Sequence, residues 1–180
     1  MENQVKYGKE ARQGLLRGID KLADAVVSTL GPNGRNVVIF RGHNEAPQST
    51  KDGVTVAKSF LTSDPEEHLG QLLLRQAAMR TADKAGDGTT TSTLLAREMI
   101  KNGLSALDNG ENAVKIKRDI DKTVNLVINN LSDNIAEDIS GENQLEQIAT
   151  ISSNNDEETG KLIAKAIEKV GLEGVVHVEE

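Results

Sequence analysis

Residues 85–93 read Ala85-Gly86-Asp87-Gly88-Thr89-Thr90-Thr91-Ser92-Thr93. Threonine is β-branched and a mediocre helix former, so a run of it at the start of a helix calls for a reason. Anion binding supplies one. The first turn of a helix carries N–H groups without intrahelical partners and the positive end of the dipole. Glycines let the backbone approach a phosphate, and threonine hydroxyls add donors. A carboxylate at Asp87 would repel that phosphate unless a divalent cation lies between them. Magnesium is commonly held by one or two carboxylates together with phosphate oxygens. The segment fits a magnesium–nucleotide site with Asp87 on the metal. Read alone, it is also a Gly-Asp-Gly turn with a threonine cap.

Two further segments could serve the same chemistry. Thr29-Leu30-Gly31-Pro32-Asn33-Gly34-Arg35 ends one helix in a glycine-rich turn. Ser49-Thr50-Lys51-Asp52-Gly53-Val54-Thr55 sets a cation and a potential base just before another. Taken singly, each reads as a turn before it reads as a site. The phosphate loop G-x-x-x-x-G-K-[ST] is absent from the sequence, as is G-x-G-x-x-G between a strand and a helix.

The elements that must position these loops are mostly helical. Leu15, Ile19, Leu22, Val26 and Leu30 fall on one helical face, predicting a helix from about Lys9 to Leu30. Gly31-Pro32 stops it. Asn36 to Arg41 is apolar and β-branched and reads as a strand, followed by a loop from Gly42 to Thr50. Asp52 caps a short helix to Phe60, and Pro65 opens a long one ending near Gly86. The next helix starts at or after Gly88 and is interrupted at Gly103. Ile116, Ile120, Val124, Val127 and Leu131 place another over Ala113 to Leu131. A short helix follows from Ser140 or Glu142 to Ile151. Asp156 then caps a last one, and Val175 to Val178 reads as a strand.

Composition narrows the classes. The chain has 180 residues, with 21 basic and 28 acidic side chains and a formal charge of −7. The first half carries 12 basic and 11 acidic residues and the second 9 and 17, so the acidity lies in the second half. Such a balance, with two phenylalanines and one tyrosine, argues against a nucleic-acid binder. The absence of cysteine excludes a disulfide scaffold, a thiolate metal site and a cysteine nucleophile. No apolar stretch approaches the roughly 20 residues of a membrane helix, and Met1 to Gln13 is polar, unlike a signal peptide. A cytoplasmic protein without a membrane partner is the expectation. His43, His68 and His177 do not cluster and read as solvated.

Together the loops form a recognisable set. Leu30-Gly31-Pro32-Asn33-Gly34-Arg35-Asn36-Val37-Val38, Thr50-Lys51-Asp52-Gly53-Val54-Thr55-Val56-Ala57 and Ala85-Gly86-Asp87-Gly88-Thr89-Thr90-Thr91 stand in the order and spacing of the N-terminal part of group I chaperonins, the GroEL type, which they closely resemble. The likeness continues through Leu22-Ala23-Asp24-Ala25-Val26, Lys117-Arg118-Asp119-Ile120-Asp121-Lys122, Thr150-Ile151-Ser152, Gly160-Lys161-Leu162-Ile163-Ala164 and Gly174-Val175-Val176. Met1 to Gln4 and Phe40 to Glu45 depart from the family wording.

The resemblance implies a mainly α fold with short strands. Residues 1–136 would be the N-terminal part of the helical equatorial ATP-binding domain, and residues 137–180 the start of the intermediate, hinge domain. The apical domain would be absent. The family's ATP contacts carry over to Thr29, Leu30, Gly31, Pro32, Lys51, Asp52, Gly53, Asp87, Gly88, Thr89, Thr90, Thr91, Ile151 and Ser152. Asp87 would be the magnesium ligand and Asp52 the catalytic residue that orients the attacking water or takes its proton. ATP and Mg2+ are the implied cofactors, with K+ as a further ion. Partners would be other chaperonin subunits in a homo-oligomeric ring, with unfolded clients and a lid cochaperonin bound through the missing region.

Three readings follow. The first is a subunit, or a truncated or split piece, of an ATP-dependent folding machine. The second is a nucleotide-binding or assembly module without folding activity of its own. The third, a metabolic kinase using a Gly-Asp-Gly-Thr loop, lacks any visible acceptor site.

Overall fold

The computed structural model of the chain describes residues 5–42, 45–139, 141–171 and 174–177. Met1–Gln4, His43, Asn44, Ser140 and Val178 lie outside these, and so do the readings that fall on them. Two units are separable, Met1–Val124 and Asn125–Glu180.

In the first unit, α1 (Gly8–Val27) buries Ile19, Leu22, Ala23 and Val26. It stops three residues short of the expected end. The N–H groups of Thr29 and Leu30 turn back to the carbonyls of Val26 and Val27, three residues away rather than four, at 3.1 and 3.0 Å. This tightened exit leads the chain into the Gly31-Pro32 turn.

Strands β1 (Val37–Ile39) and β2 (Gln48–Thr50) pair antiparallel, with Val37 opposite Thr50 and Ile39 opposite Gln48. The segment before Lys51 was expected to be all loop. Three residues of Gln-Ser-Thr carry no strand pattern of their own, and pairing with β1 makes them a strand. Helix α2 (Gly53–Ser59) follows. Next comes α3 (Pro65–Ala85), capped by the Asp64 carboxylate, which accepts from the N–H groups of Glu66 and Glu67 at 2.9 and 3.1 Å. These bonds, led by the one from Glu67, hold the Asp64 carboxyl below its usual range.

Helix α4 (Thr89–Asp108) runs straight through Gly103, which does not interrupt it. A Cβ there would find only methyl groups of Ile116 and Ile120, at 3.7 and 3.8 Å. One mid-helix glycine costs about 1 kcal/mol in propensity, and a 20-residue helix packed on its neighbours absorbs it. Helix α5 (Ala113–Asn134) is capped by the Asn112 side chain and buries no residue. Leu95, Met99, Ile116 and Ile120 line a groove of about 610 Å3 on the α4 and α5 surfaces.

The core joins the first four helices. Ile19, Leu22, Ala23 and Val26 meet Val56 and Ala57 of α2 and Leu74 and Ala78 of α3, with Ala96 and Ile100 of α4 against them. Helices α1 and α3 touch backbone to backbone. A Cβ on Gly18 would lie 1.9 Å from the Glu67 carbonyl oxygen, and one on Gly70 2.0 Å from that of Leu15. Beside this crossing the Glu67 side chain is 8% exposed and takes the Lys21 ammonium on both oxygens at 2.7 Å, with the Thr62 hydroxyl at 3.0 Å. Lys21 above all holds that carboxyl below the ordinary glutamate range. His68, expected in solvent, is half-buried on α3.

The second unit pairs α6 (Glu142–Ser152) with α7 (Glu157–Val170). The crossing is again a glycine's: a Cβ on Gly160 would lie 2.7 Å from the Cα of Thr150. Asp156 caps α7 as expected, accepting from the N–H groups of Glu158 and Thr159. Residues 175–177 form no strand. Their apolar residues have no partner strand among the described residues, and an apolar run without a ladder stays irregular.

Candidate functional site

The three glycine-bearing loops meet at one place in the first unit. Thr29, at the exit of α1, is 8% exposed, and its hydroxyl donates to the Val26 carbonyl at 2.7 Å. The same oxygen lies 3.3 Å from the hydroxyl oxygen of Thr90, in the first turn of α4. Gly53, the first residue of α2, is wedged against the start of α4 and the end of α1: a Cβ there would lie 2.3 Å from Thr90 Oγ1, 3.1 Å from Thr89 Oγ1 and 3.3 Å from Val26 Cγ1. Only glycine admits this approach. Thr90 thus lies against both Thr29 and Gly53, and Thr89 against Gly53, which brings three segments distant in the chain to one place. Leu30, Gly31 and Pro32 continue outward from Thr29 and are exposed.

Each loop ends in a distinct piece of backbone chemistry. Gly88 caps α4 in the left-handed conformation, at φ 82°, and provides no side-chain hydrogen bond to the helix. The first intrahelical bond runs from Ser92 N–H to the Gly88 carbonyl at 2.9 Å. The N–H groups of Thr89, Thr90 and Thr91 precede it, at the positive end of a 20-residue helix. Asp87 is exposed, and one of its carboxylate oxygens accepts from the Gly88 N–H. Thr91 is exposed, whereas Thr89 and Thr93 are buried.

Asp52 is the N-cap of α2. It accepts from Val54 N–H at 3.2 Å, from Thr55 N–H at 2.9 Å and from the Thr55 hydroxyl. An ionised carboxylate has about four acceptor positions, so these three donors leave room for one more. Lys51 beside it is exposed. Ile151 and Ser152 belong to the second unit, at the C-terminal end of α6, and both are exposed.

The site suits a magnesium-bound polyphosphate in its donor set. A helix start without a side-chain cap offers N–H groups to an anion. Among the described residues no three metal-ligating side chains cluster. A carboxylate at Asp87 matches an ion whose other ligands are phosphate oxygens and water. Two residues that matter to this arrangement escaped the sequence reading. Gly34 lies so close to the loop that a Cβ would be 2.1 Å from the Thr29 carbonyl oxygen, and Val26 lends that loop its carbonyl. The Asn33-Gly34 pair was a visible turn signal for the first, while Val26 carried none beyond its place in the helix.

Comparisons with known proteins agree with this architecture. A sequence model of the TCP-1/cpn60 chaperonin family matches residues 22–178. Two crystal structures of the chaperonin gp146 from the bacteriophage EL 2 (Pseudomonas aeruginosa), both in the presence of ATP-BeFx, are 33% identical to this chain. They superpose with TM-scores of 0.72 and 0.73 over 89% and 91% of it. A group III chaperonin in the open state, 21% identical, shares the fold with a TM-score of 0.72 over 89% of the chain. The chain spans 28% and 29% of the gp146 chains and 32% of the group III chain. No helix among the described residues is long and apolar enough to cross a membrane. With a family match over residues 22–178 and the equatorial arrangement of helices and loops, the chain belongs to the TCP-1/cpn60 chaperonin family.

Proposed function

We propose that this chain is the nucleotide-binding part of an ATP-dependent chaperonin subunit of the GroEL type. The observation that carries the reading is the meeting of Thr29, Gly53 and Thr90 at an α4 start that lacks a side-chain cap. The N–H groups of Thr89, Thr90 and Thr91 receive phosphate oxygens, and the exposed turn Leu30-Gly31-Pro32 flanks the rest of the nucleotide. Lys51 lends a positive charge, and Gly53 keeps the α2 side of the site thin enough for close approach. Asp87 holds Mg2+, which when bound neutralises the phosphates and polarises the terminal phosphoryl group. Asp52 uses its remaining acceptor position to orient the attacking water. Ile151 and Ser152 are assigned to the same nucleotide on the family resemblance alone, as is K+ as a second ion.

Residues 1–136 act as equatorial domain and residues 137–180 as the start of the hinge domain. The subunit works in a ring of like subunits in the cytoplasm. Clients and a lid cochaperonin engage regions beyond these 180 residues. Alone, the chain binds nucleotide weakly and turns over little. Titration of a fluorescent ATP analogue, with Mg2+ and with chelator, tests this. Binding should require Mg2+ and weaken at least tenfold in Asp87→Ala at unchanged thermal stability. Magnesium-independent binding, or an Asp87→Ala variant that binds like the parent, refutes the site. Robust phosphate release from this chain, abolished by Asp87→Ala, refutes the expectation of little turnover.

A further inference from the structure

Helix α5 carries one long apolar row whose two halves differ in burial. Ile116, Ile120, Val124, Val127, Ile128 and Leu131 recur along it at the three- and four-residue spacing of a single helical face. Ile116 and Ile120 are half-buried and line the groove of about 610 Å3 with Leu95 and Met99 of α4. Val127, Ile128, Leu131 and Ile135 are 46–61% exposed. The Ile135 N–H donates to the Leu131 carbonyl at 3.1 Å, so the helical pattern carries the row one residue past Asn134. One helix thus bears an apolar groove on its first half and a protruding apolar row on its second.

The charges along α5 select what fits both. Residues 123–132 hold no charged side chain in a chain that is 27% charged, although all of them except Val124 are exposed. Depletion of charge on an exposed surface is the compositional mark of an interface core. Before this stretch, residues 113–122 carry four basic and two acidic side chains. After it, residues 133–138 carry three acidic and no basic ones. A second copy of α5 laid antiparallel brings a basic end to an acidic end at both ends, whereas a parallel copy opposes like charges. The rim glutamates of the groove have cations of their own: Glu98 meets Arg97 at 3.0 Å and Glu111 meets Lys115 at 3.4 Å.

We propose that α5 is a self-association surface, on which two copies of this chain pair antiparallel about a two-fold axis. Such an interface is isologous, so the row of each copy enters the groove of the other and the contact closes at two copies. The middle of the uncharged stretch falls between Val127 and Ile128. An axis there sets Val124 opposite Leu131 of the second copy, and Ile120 opposite Ile135 of the second copy. The pairing does not depend on the nucleotide reading above.

The experiment uses the 180-residue chain. In sedimentation equilibrium its mass should rise with concentration from 19.3 kDa towards twice that value. Leu131→Asp should raise the dissociation constant at least about a hundredfold, since each dimer would bury two new carboxylates. Leu131 is exposed in the single copy, so the variant's unfolding midpoint at low concentration should stay within about 2 °C of the parent's. Orientation is read by disulfide trapping, for which the chain is suited because it contains no cysteine. Under a mild oxidant, an equimolar mixture of Val124→Cys and Leu131→Cys chains should cross-link at least about tenfold faster than either variant alone, because a disulfide needs Cα atoms within about 7 Å. Either variant cross-linking alone as fast as the mixture overturns the antiparallel arrangement. A chain that stays at 19.3 kDa at every concentration up to its solubility limit overturns the proposal and leaves the row to a different partner. So does a dimer or larger assembly that Leu131→Asp does not weaken.

Discussion

Adding the same methyl group to two helical glycines should move stability in opposite directions. In Gly18→Ala the new Cβ would stand 1.9 Å from the carbonyl oxygen of Glu67, 2.5 Å from its carbon and 2.6 Å from its Cα. All three are backbone atoms of α3, so no rotamer change relieves them. Carbon contacts are optimal at about 3.5–4.0 Å, so the helices must part by more than 1 Å, roughly, at their crossing. A gap of 0.5–1 Å already forfeits about a quarter to a half of each dispersion well. The contacts at risk belong to Ile19, Leu22 and Leu74, each at most 2% exposed. Overpacking of this kind costs about 1–3 kcal/mol, and the absence of any flexible neighbour puts Gly18→Ala at the upper end. Helix propensity returns less than about 1 kcal/mol. At about 2–4 °C per kcal/mol for a chain of this size, the midpoint should fall by roughly 4–8 °C. In Gly103→Ala the nearest atoms are methyls at 3.7 and 3.8 Å. Only the propensity gain remains, about 0.5–1 kcal/mol, and the midpoint should rise by roughly 1–4 °C. Thermal unfolding followed by circular dichroism at 222 nm measures both. A Gly18→Ala protein as stable as the parent, or shifts of the same sign, would refute the close crossing.

Three further outcomes are expected. Gly53→Ala forces a methyl to within 2.3 Å of Thr90 Oγ1, so it should weaken Mg-nucleotide binding at least tenfold in an equilibrium titration; parental affinity in a folded variant would detach Gly53 from the site. The Asp156 carboxyl is held below its ordinary value by the Thr159 hydroxyl first and the Thr159 N–H next. Its folded pKa is depressed, so its contribution to α7 is present above the unfolded aspartate pKa of about 4 and is lost as pH falls through the lower folded value; amide exchange in residues 157–163 should accelerate over that acid window in the parent and not in Asp156→Asn. Glu67, lowered chiefly by Lys21, obeys the same sign. Glu67→Gln and Lys21→Met should each lower the unfolding midpoint at pH 7, and the double variant should lose less than the sum of the two; strict additivity would mean the pair does not interact.

The helices were legible because their signals are local. Asp52, Asp64 with Pro65, and Asp156 mark three helix starts by side-chain chemistry that acts within three residues. Likewise Gly86, in the left-handed conformation, marks the end of α3. Strand β2 was not legible, since Gln48-Ser49-Thr50 owes its extended form to β1, nine or more residues away in the chain. Gly103 misled because a glycine's local penalty was visible and the packing that outweighs it was not. Gly18 and Gly70 went unread for a related reason: a helical glycine looks the same in sequence whether it faces solvent or another backbone. At the site, the loops were identifiable from residue type and spacing. What surrounds the Thr90 hydroxyl depends on Thr29 and Gly53, which meet it only after folding.

Helix α5 contributes no buried residue, although it is 22 residues long. Beyond the half-buried Ile116, Ile120 and Val124, which face α4, it has the Asn112 cap and exposed pairs such as Lys117–Asp121 at 2.6 Å, and pairs of that kind add only about 0.3–0.5 kcal/mol each. None of the residues that enclose Thr29 and Thr90 belongs to this helix. A helix with few buried contacts and solvent-exposed backbone hydrogen bonds opens at lower cost than one in the core, so the amides of α5 should exchange ahead of those of α1 and α3.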